Sequence, residues 1–455
     1  MSAFSALLPL RRRDFGLLWS GGLVSIIGSW MQTIAVGALV TARTGQVSWA
    51  AIVAAGAFLP IGLFSPLGGA LADRLPRRAM LVIGNLVQTA LAALLAVLVG
   101  TGHGSPLEVT VVVTVQGIVS ALILPFQQAI LPELVPPGEI LAAASLNSAQ
   151  YNLGRVVGPV LAGISVAAFG YPFAFVANAV SFLAVVLALV FVRLDPPPGL
   201  GSTITLRASM KAGARAAWAE PGCRAAIGLI AMVALLASPF IALVPAVAAH
   251  LTHGGERAVG SATAVLTTAQ GVGAVLGALA LAPLAERFGR GTMLIVDLCM
   301  LPVALVAYGS AGTLGVAVIT MAMVGLIYIG VLSGLSTIVQ LRAPGEFRGR
   351  VLSLYLVALG VVYPLGALLQ GPIADRIGLR ATTCGAAGLL VVALVLVALT
   401  RPALFAVLQA PIIAEDIPAG IGDPIARGNP ITSGDPVPLG EPLAGNEPLV
   451  VSDRP

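Results

Sequence analysis

Ser148, Asn152 and Arg155 recur at helical spacing, with Tyr151 beside them, inside a run that is otherwise apolar. A cation set among a hydroxyl, an amide and a phenol can bind and orient a polar ligand or a moving ion. A charge at the centre of a bilayer costs about 2.5–3.5 kcal/mol on the mildest scale, so a residue kept there needs a task. One task is to line a substrate or coupling path. The plainer one is to hold helices together by pairing with a carboxylate such as Glu133. Asp297 is the second charge inside an apolar run, and reads as a proton site or as a partner for a loop arginine. Trp30 and Gln32 offer a stacking face and a polar contact, and Gln116 a further amide. No Walker loop, nucleotide-binding glycine fingerprint or catalytic triad pattern occurs, so neither an enzyme nor ATP-driven transport is indicated and no cofactor is expected. Cys223, Cys299 and Cys384 lack metal-ligand spacing and read as small packing residues; His103, His250 and His253 read as surface histidines.

The elements that must carry these residues follow from composition. Hydrophobic residues make up 58% of the chain and charged residues 9%, far below the roughly one-quarter of a soluble domain. Twelve apolar runs approach the ~20 residues that a spanning helix needs, centred near Thr33, Ile61, Ala90, Ser120, Val156, Val185, Ala237, Gly271, Leu301, Gly325, Gly360 and Val391. The first is too long for a signal-peptide core and is kept as a helix. With both termini in the cytoplasm, all but five of the 24 basic residues fall on the cytoplasmic side. Arg43, Arg257, Arg376 and Arg380 lie opposite, and Arg155 lies within a span. The positive-inside rule therefore favours that orientation in a plasma membrane, and the net charge of +5 calls for no nucleic-acid partner.

The chain also repeats itself. Ala72-Asp73-Arg74-Leu75-Pro76-Arg77 aligns with Ala285-Glu286-Arg287-Phe288-Gly289-Arg290, Pro137-Gly138-Glu139 with Pro344-Gly345-Glu346, and Gly158, Gly163 and Gly170 with Gly366, Gly371 and Gly378. The offsets are 213, 207 and 208. The expected organisation is a six-helix bundle over 1–193, a cytoplasmic linker over 194–222, a second bundle over 223–402, and a disordered cytoplasmic tail over 403–455 rich in Gly-Asp-Pro turns. Positive-inside charge explains the arginines of the first repeat, but not an acidic residue at the same place in both halves.

Gly69-Ala70-Leu71-Ala72-Asp73-Arg74-Leu75-Pro76-Arg77-Arg78 resembles the motif between helices 2 and 3 of the major facilitator superfamily. The likeness covers all twelve spans and implies an all-α membrane fold of two pseudo-symmetric six-helix bundles. Pro76 departs from it, because the family usually has glycine there and proline cannot take a positive φ. Gly154, Gly158, Pro159 and Gly163 resemble the glycine-proline motif that exporters and antiporters of the superfamily carry on helix 5, with Ser145 and Ala162 in place of further glycines. Gln116-Gly117 lacks the preceding arginine of drug-proton antiporters, since Val113 stands there. Gly28-Ser29-Trp30-Met31-Gln32, Leu131-Pro132-Glu133-Leu134-Val135-Pro136 and Asn147-Ser148 are similar to the enterobactin-exporter-like branch.

The resemblance implies a permease that exports a small organic molecule or drug by ion-coupled alternating access; a monomer among membrane lipids is expected, driven by an ion gradient or by the substrate's own, with protons the expected ion. Asp73, Arg74, Arg77 and Arg78, with Glu286, Arg287 and Arg290, are expected to act as conformational latches. Asp73 would seat against Arg348 and Arg350 at the start of span 11, where the helix N-terminus also favours a negative charge. An importer, a lysophospholipid-type lipid transporter and a transporter-like sensor without flux are the other readings.

Overall fold

The structure, a computed structural model, describes residues 7–72, 74–192 and 206–402. Asp73, much of the linker and the tail beyond 402 lie outside the described residues. Twelve helices are long and apolar enough to span a membrane, and no strand occurs among the described residues. The first half holds α1 (Arg13–Thr44), α2 (Val47–Ala72), α3 (Arg77–Gly100), α4 (Pro106–Ile130), α5 (Ile140–Phe169) and α6 (Tyr171–Phe191). The second holds α7 (Pro221–Leu251), α8 (Glu256–Phe288), α9 (Arg290–Gly309), α10 (Leu314–Arg342), α11 (Arg348–Ile377) and α12 (Leu379–Thr400). The fold is thus all-α, with two six-helix bundles. We call the face at which α1 begins and α12 ends proximal, and the other distal.

Glycine builds both halves in the same way. Lipid tails give no hydrophobic drive for helices to associate, so close backbone contact must supply it. In the first half Gly117 of α4 lies against the carbonyls of Gly56 and Ala57 in α2, so close that an added Cβ would stand 2.7 and 2.8 Å from them; Gly68 of α2 meets Leu122 and Ala121 at the same distances. In the second half Gly325 of α10 faces the Gln270 carbonyl of α8, and Gly277 of α8 faces the Leu326 carbonyl. Gly117 and Gly325 are 208 residues apart, the offset read from the sequence. The repeat also extends to turns: Gly170 (φ +83°) and Gly378 (φ +91°) end α5 and α11 in a conformation that side chains disfavour.

The two copies differ where proline intervenes. Gly289, with φ +85°, joins α8 to α9 as a single residue. Its counterpart Pro76 has φ −60°, and the first half needs residues 73–76 for the same connection. A second proline interrupts span 7, which the sequence reads as one continuous run. The helix stops at Leu236 and restarts at Phe240. Pro239 has no N–H for the Leu235 carbonyl one turn back, and Gln370 of α11 donates its side-chain amide to Leu235 at 3.1 Å and Leu236 at 3.0 Å instead. Ser238 in the break pairs with the Tyr328 hydroxyl at 2.8 Å. The linker, read from the sequence as a polar connector, contains a helix, Leu206–Ala219, whose Gly213 rests on Arg350.

The halves meet through α2 against α11, α5 against α8, and α1 against α7 and α8. Many large apolar side chains remain exposed on the outer helices, among them Val97, Val180, Leu187, Ile319 and Leu399. Such a surface suits hydrocarbon and not water. Replacing Gly325 by valine is expected to cost about 2–3 kcal/mol through overpacking against backbone, read as a lower melting temperature in detergent. Gly228→Val, where a Cβ meets nothing within 4 Å, is expected to leave the melting temperature unchanged.

Candidate functional site

The α5 helix has three faces with different neighbours. Gly154 and Gly158 turn toward α1, where a Cβ on Gly158 would come within 2.5 Å of the Trp30 Cβ. Val156 and Gly163 turn toward α8, at Gly271 and Ala264. Leu153, Val160 and Ile164 are exposed and apolar, the side suited to lipid. Ser148, Tyr151 and Asn152 are exposed on the remaining side, with Arg155 half-buried one turn further in. That side is the polar one, and it faces the space between the halves.

Arg155 makes no hydrogen bond or ion pair among the described residues, and Glu133, its suggested partner, pairs with Arg77. Its backbone is unusual too. Pro159 lacks the N–H that would bond the Arg155 carbonyl, and Gly271 of α8 is the residue that lets a second helix approach this oxygen. Trp30 and Tyr151 meet edge to face with centroids 5.8 Å apart. By the repeat, the α11 counterpart of Arg155 is Tyr363, whose buried hydroxyl has no hydrogen-bond partner among the described residues and whose ring packs edge-on against Phe58 of α2 at 5.9 Å.

Other residues singled out in the sequence lie elsewhere. Gln32 donates to Gln116 at 2.7 Å and accepts from Asn178 at 2.9 Å; Gln88 donates to the Gln116 carbonyl and to Ser120. These amides satisfy one another inside the first bundle, away from the polar side of α5. Asp297 is buried against Gly330 between α9 and α10, with no ion pair to a loop arginine among the described residues. A recess with about 690 Å³ of open space enters the proximal half of the first bundle, lined by Trp19, Ser25, Gln127, Ile130 and Asn147. The Trp19 indole donates to the Leu146 carbonyl, and Gln150 to the Trp19 carbonyl, so α1 and α5 are clasped beside it.

The hydrogen bonds and ion pairs between described residues of the two halves all lie at the distal face. Asp375 at the end of α11 accepts from the backbone N–H groups of Val47 at 2.6 Å and Ser48 at 3.1 Å, capping α2 across the divide. Arg43 pairs with Glu256 at 3.2 Å and donates to the Gly104 carbonyl at 2.7 Å, while the Tyr171 hydroxyl donates to the Glu256 carbonyl at 2.6 Å. Among the described residues, the proximal pairs Arg12 with Glu139 and Arg77 with Glu133 lie within the first half, and Arg342 pairs with Glu220. Glu139 raises the Arg12 pKa through its hydrogen bond and charge. Arg78 donates to the Val190 carbonyl of α6. Arg74, Glu286 and Arg290 are exposed, Arg287 lies over the Phe288 ring, and Arg348 and Arg350 begin α11. Sequence reasoning missed Asp375, Tyr328 and Tyr363. The one available signal was an acidic residue, Asp375, on the charge-poor side.

The family model for transmembrane secretion effectors matches residues 4–414. The chain is 26% identical over 383 residues to the multidrug efflux pump Tap of Mycolicibacterium fortuitum, covering 82% of this chain and 92% of that protein. It is 23% identical over 374 residues to macrolide efflux protein A of Streptococcus pyogenes, covering 80% and 90%. Among solved structures it resembles a bacterial homologue of the human lysosomal transporter Spinster in an inward-facing, unoccupied conformation, with TM-score 0.64, 15% identity and coverage of 89% and 98%. The nucleoside transporter NupG gives TM-score 0.63 at 15% identity and coverage of 88% and 100%. With motif, repeat, twelve helices and family model in agreement, the chain belongs to the transmembrane secretion effector family of major facilitator transporters.

Proposed function

We propose that this protein exports a small organic molecule across the plasma membrane by alternating access, with both termini in the cytoplasm. The observation that supports this reading is the one-sided joining of the halves. Among the described residues, polar bonds tie them at the distal face, while the pairs Arg12–Glu139 and Arg77–Glu133 brace the first half at the proximal face. A carrier open to the cytoplasm needs that distribution, and the arginine-rich proximal loops favour the cytoplasm for that face. Efflux is the activity named for the two curated relatives, which favours the outward direction. Ser148, Tyr151, Asn152 and Arg155 line the path in this reading, and a proton gradient supplies the energy.

The cycle then exchanges one set of contacts for another. Closing the cytoplasmic side brings Asp73 toward the start of α11 and Glu286 toward the start of α5, where each meets the positive end of a helix. Opening the outer side breaks the Asp375 cap and the Arg43–Glu256 pair. A bistable pair of this kind moves with whatever favours one set, so both sets are accessible to mutation.

Two outcomes test this. In proteoliposomes loaded with an anionic aromatic dye, export is expected to require a pH gradient, and Asp73→Asn is expected to lower the rate at least tenfold with the protein still in the membrane. Unchanged transport in that variant contradicts the latch. Asp375→Asn removes one charge-assisted acceptor, a loss of about 1.5–3 kcal/mol for a bond to a charged group. Ala51 is buried at the distal contact with Gly371. An Ala51→Cys thiol is therefore expected to react with an aqueous maleimide at least tenfold faster in the Asp375→Asn background.

A further inference from the structure

We infer that the substrate of the central path carries a negative charge beside an apolar, ring-bearing body, and that Arg155 is the group that receives the charge. This rests on the reading of the α5 polar side as the transport path.

Arg155 and Asp297 are the two charged residues placed well inside the spans among the described residues, and they have different surroundings. Asp297 is packed between two helices of one bundle, with Gly330 of α10 against its carboxylate. Arg155 stands at the divide between bundles, half-buried and without an ion-pair partner among the described residues. A guanidinium within a membrane protein is ordinarily paired or wetted by a cavity. The nearby acid that sequence reasoning offered, Glu133, is occupied by Arg77. The path thus has a cation whose counter-charge the described part of the protein does not supply.

The groups around it complete the specificity. Trp30 and Tyr151 form an edge-to-face aromatic pair on the first half, with the exposed Tyr151 on the same polar side of α5 as Arg155. Ser148 and Asn152 use a donor each on their own helix, to Ala144 at 3.1 Å and to Ser148 at 2.9 Å, leaving acceptor and donor capacity toward the divide. A planar guanidinium binds a carboxylate through two parallel hydrogen bonds, and a neighbouring aromatic wall favours a flat apolar body. The proximal mouth adds to this. Glu133, Glu139 and Glu220 are each tied to an arginine, and exposed Arg74, Arg287 and Arg290 outnumber exposed Glu286, so the mouth draws anions inward. A cationic drug meets the opposite field at both places.

The test is binding, which needs no flux. Tritiated 2-naphthoate is measured on the full chain in nanodiscs by scintillation proximity, with unlabelled 2-naphthoate, its methyl ester and 2-naphthylmethylammonium as competitors. The acid is expected to compete at least tenfold more tightly than the ester or the amine, a difference of about 1.4 kcal/mol. Arg155→Gln is expected to erase that difference, Arg155→Lys to retain part of it, and Trp30→Ala to weaken acid and ester alike. Equal binding of all three ring compounds overturns the inference, as does an unchanged acid preference in Arg155→Gln. So does full displacement of naphthoate by chloride at roughly physiological ionic strength, which assigns Arg155 an inorganic counter-ion. Acid preference without export in vesicles overturns only the transport reading, and export without acid preference overturns only the charge of the substrate.

Discussion

The carboxylate of Asp375 caps the first turn of α2, and this bond crosses from one half of the protein to the other. The first amide groups of any helix lack internal partners, and lipid offers none. Here the second bundle supplies what the first bundle needs. Joined by the Arg43–Glu256 pair and the Tyr171 hydroxyl on the same face, the halves are held at one end of the molecule.

Rigid bundles make such a contact consequential. Glycines in α2, α4, α8 and α10 bring backbones so close that the helices of each half move together. The broken α7 is the exception. Its carbonyls near Leu235 are satisfied by Gln370 of α11 and its Ser238 by Tyr328, so the break is stitched to α10 and α11.

Much of this was legible in the residues. Span number follows from apolar run length, and the two-fold repeat from glycines and charged turns that recur at one offset. Arg155 stood out because its cost in lipid is large. Periodicity shows which residues share a face but not which neighbour that face meets. Gln32 and Gln116 accordingly looked like path residues, whereas each is satisfied by other amides inside one bundle. Asp375 drew no reading at all, because its partners, two backbone amides 327 and 328 residues away, leave no mark on sequence. The break at Pro239 was read through as a continuous span, because its repair by Gln370 depends on a tertiary contact.

A pair of spin labels on each face measures the central claim most directly. In a cysteine-free background, one pair at Gln46 and Arg380 spans the distal divide, and another at Leu141 and Phe288 spans the proximal one. The account expects the distal distance to lengthen and the proximal distance to shorten together when Asp375 is replaced by asparagine. Distances that change at one face alone, or at neither, contradict alternating access about this contact.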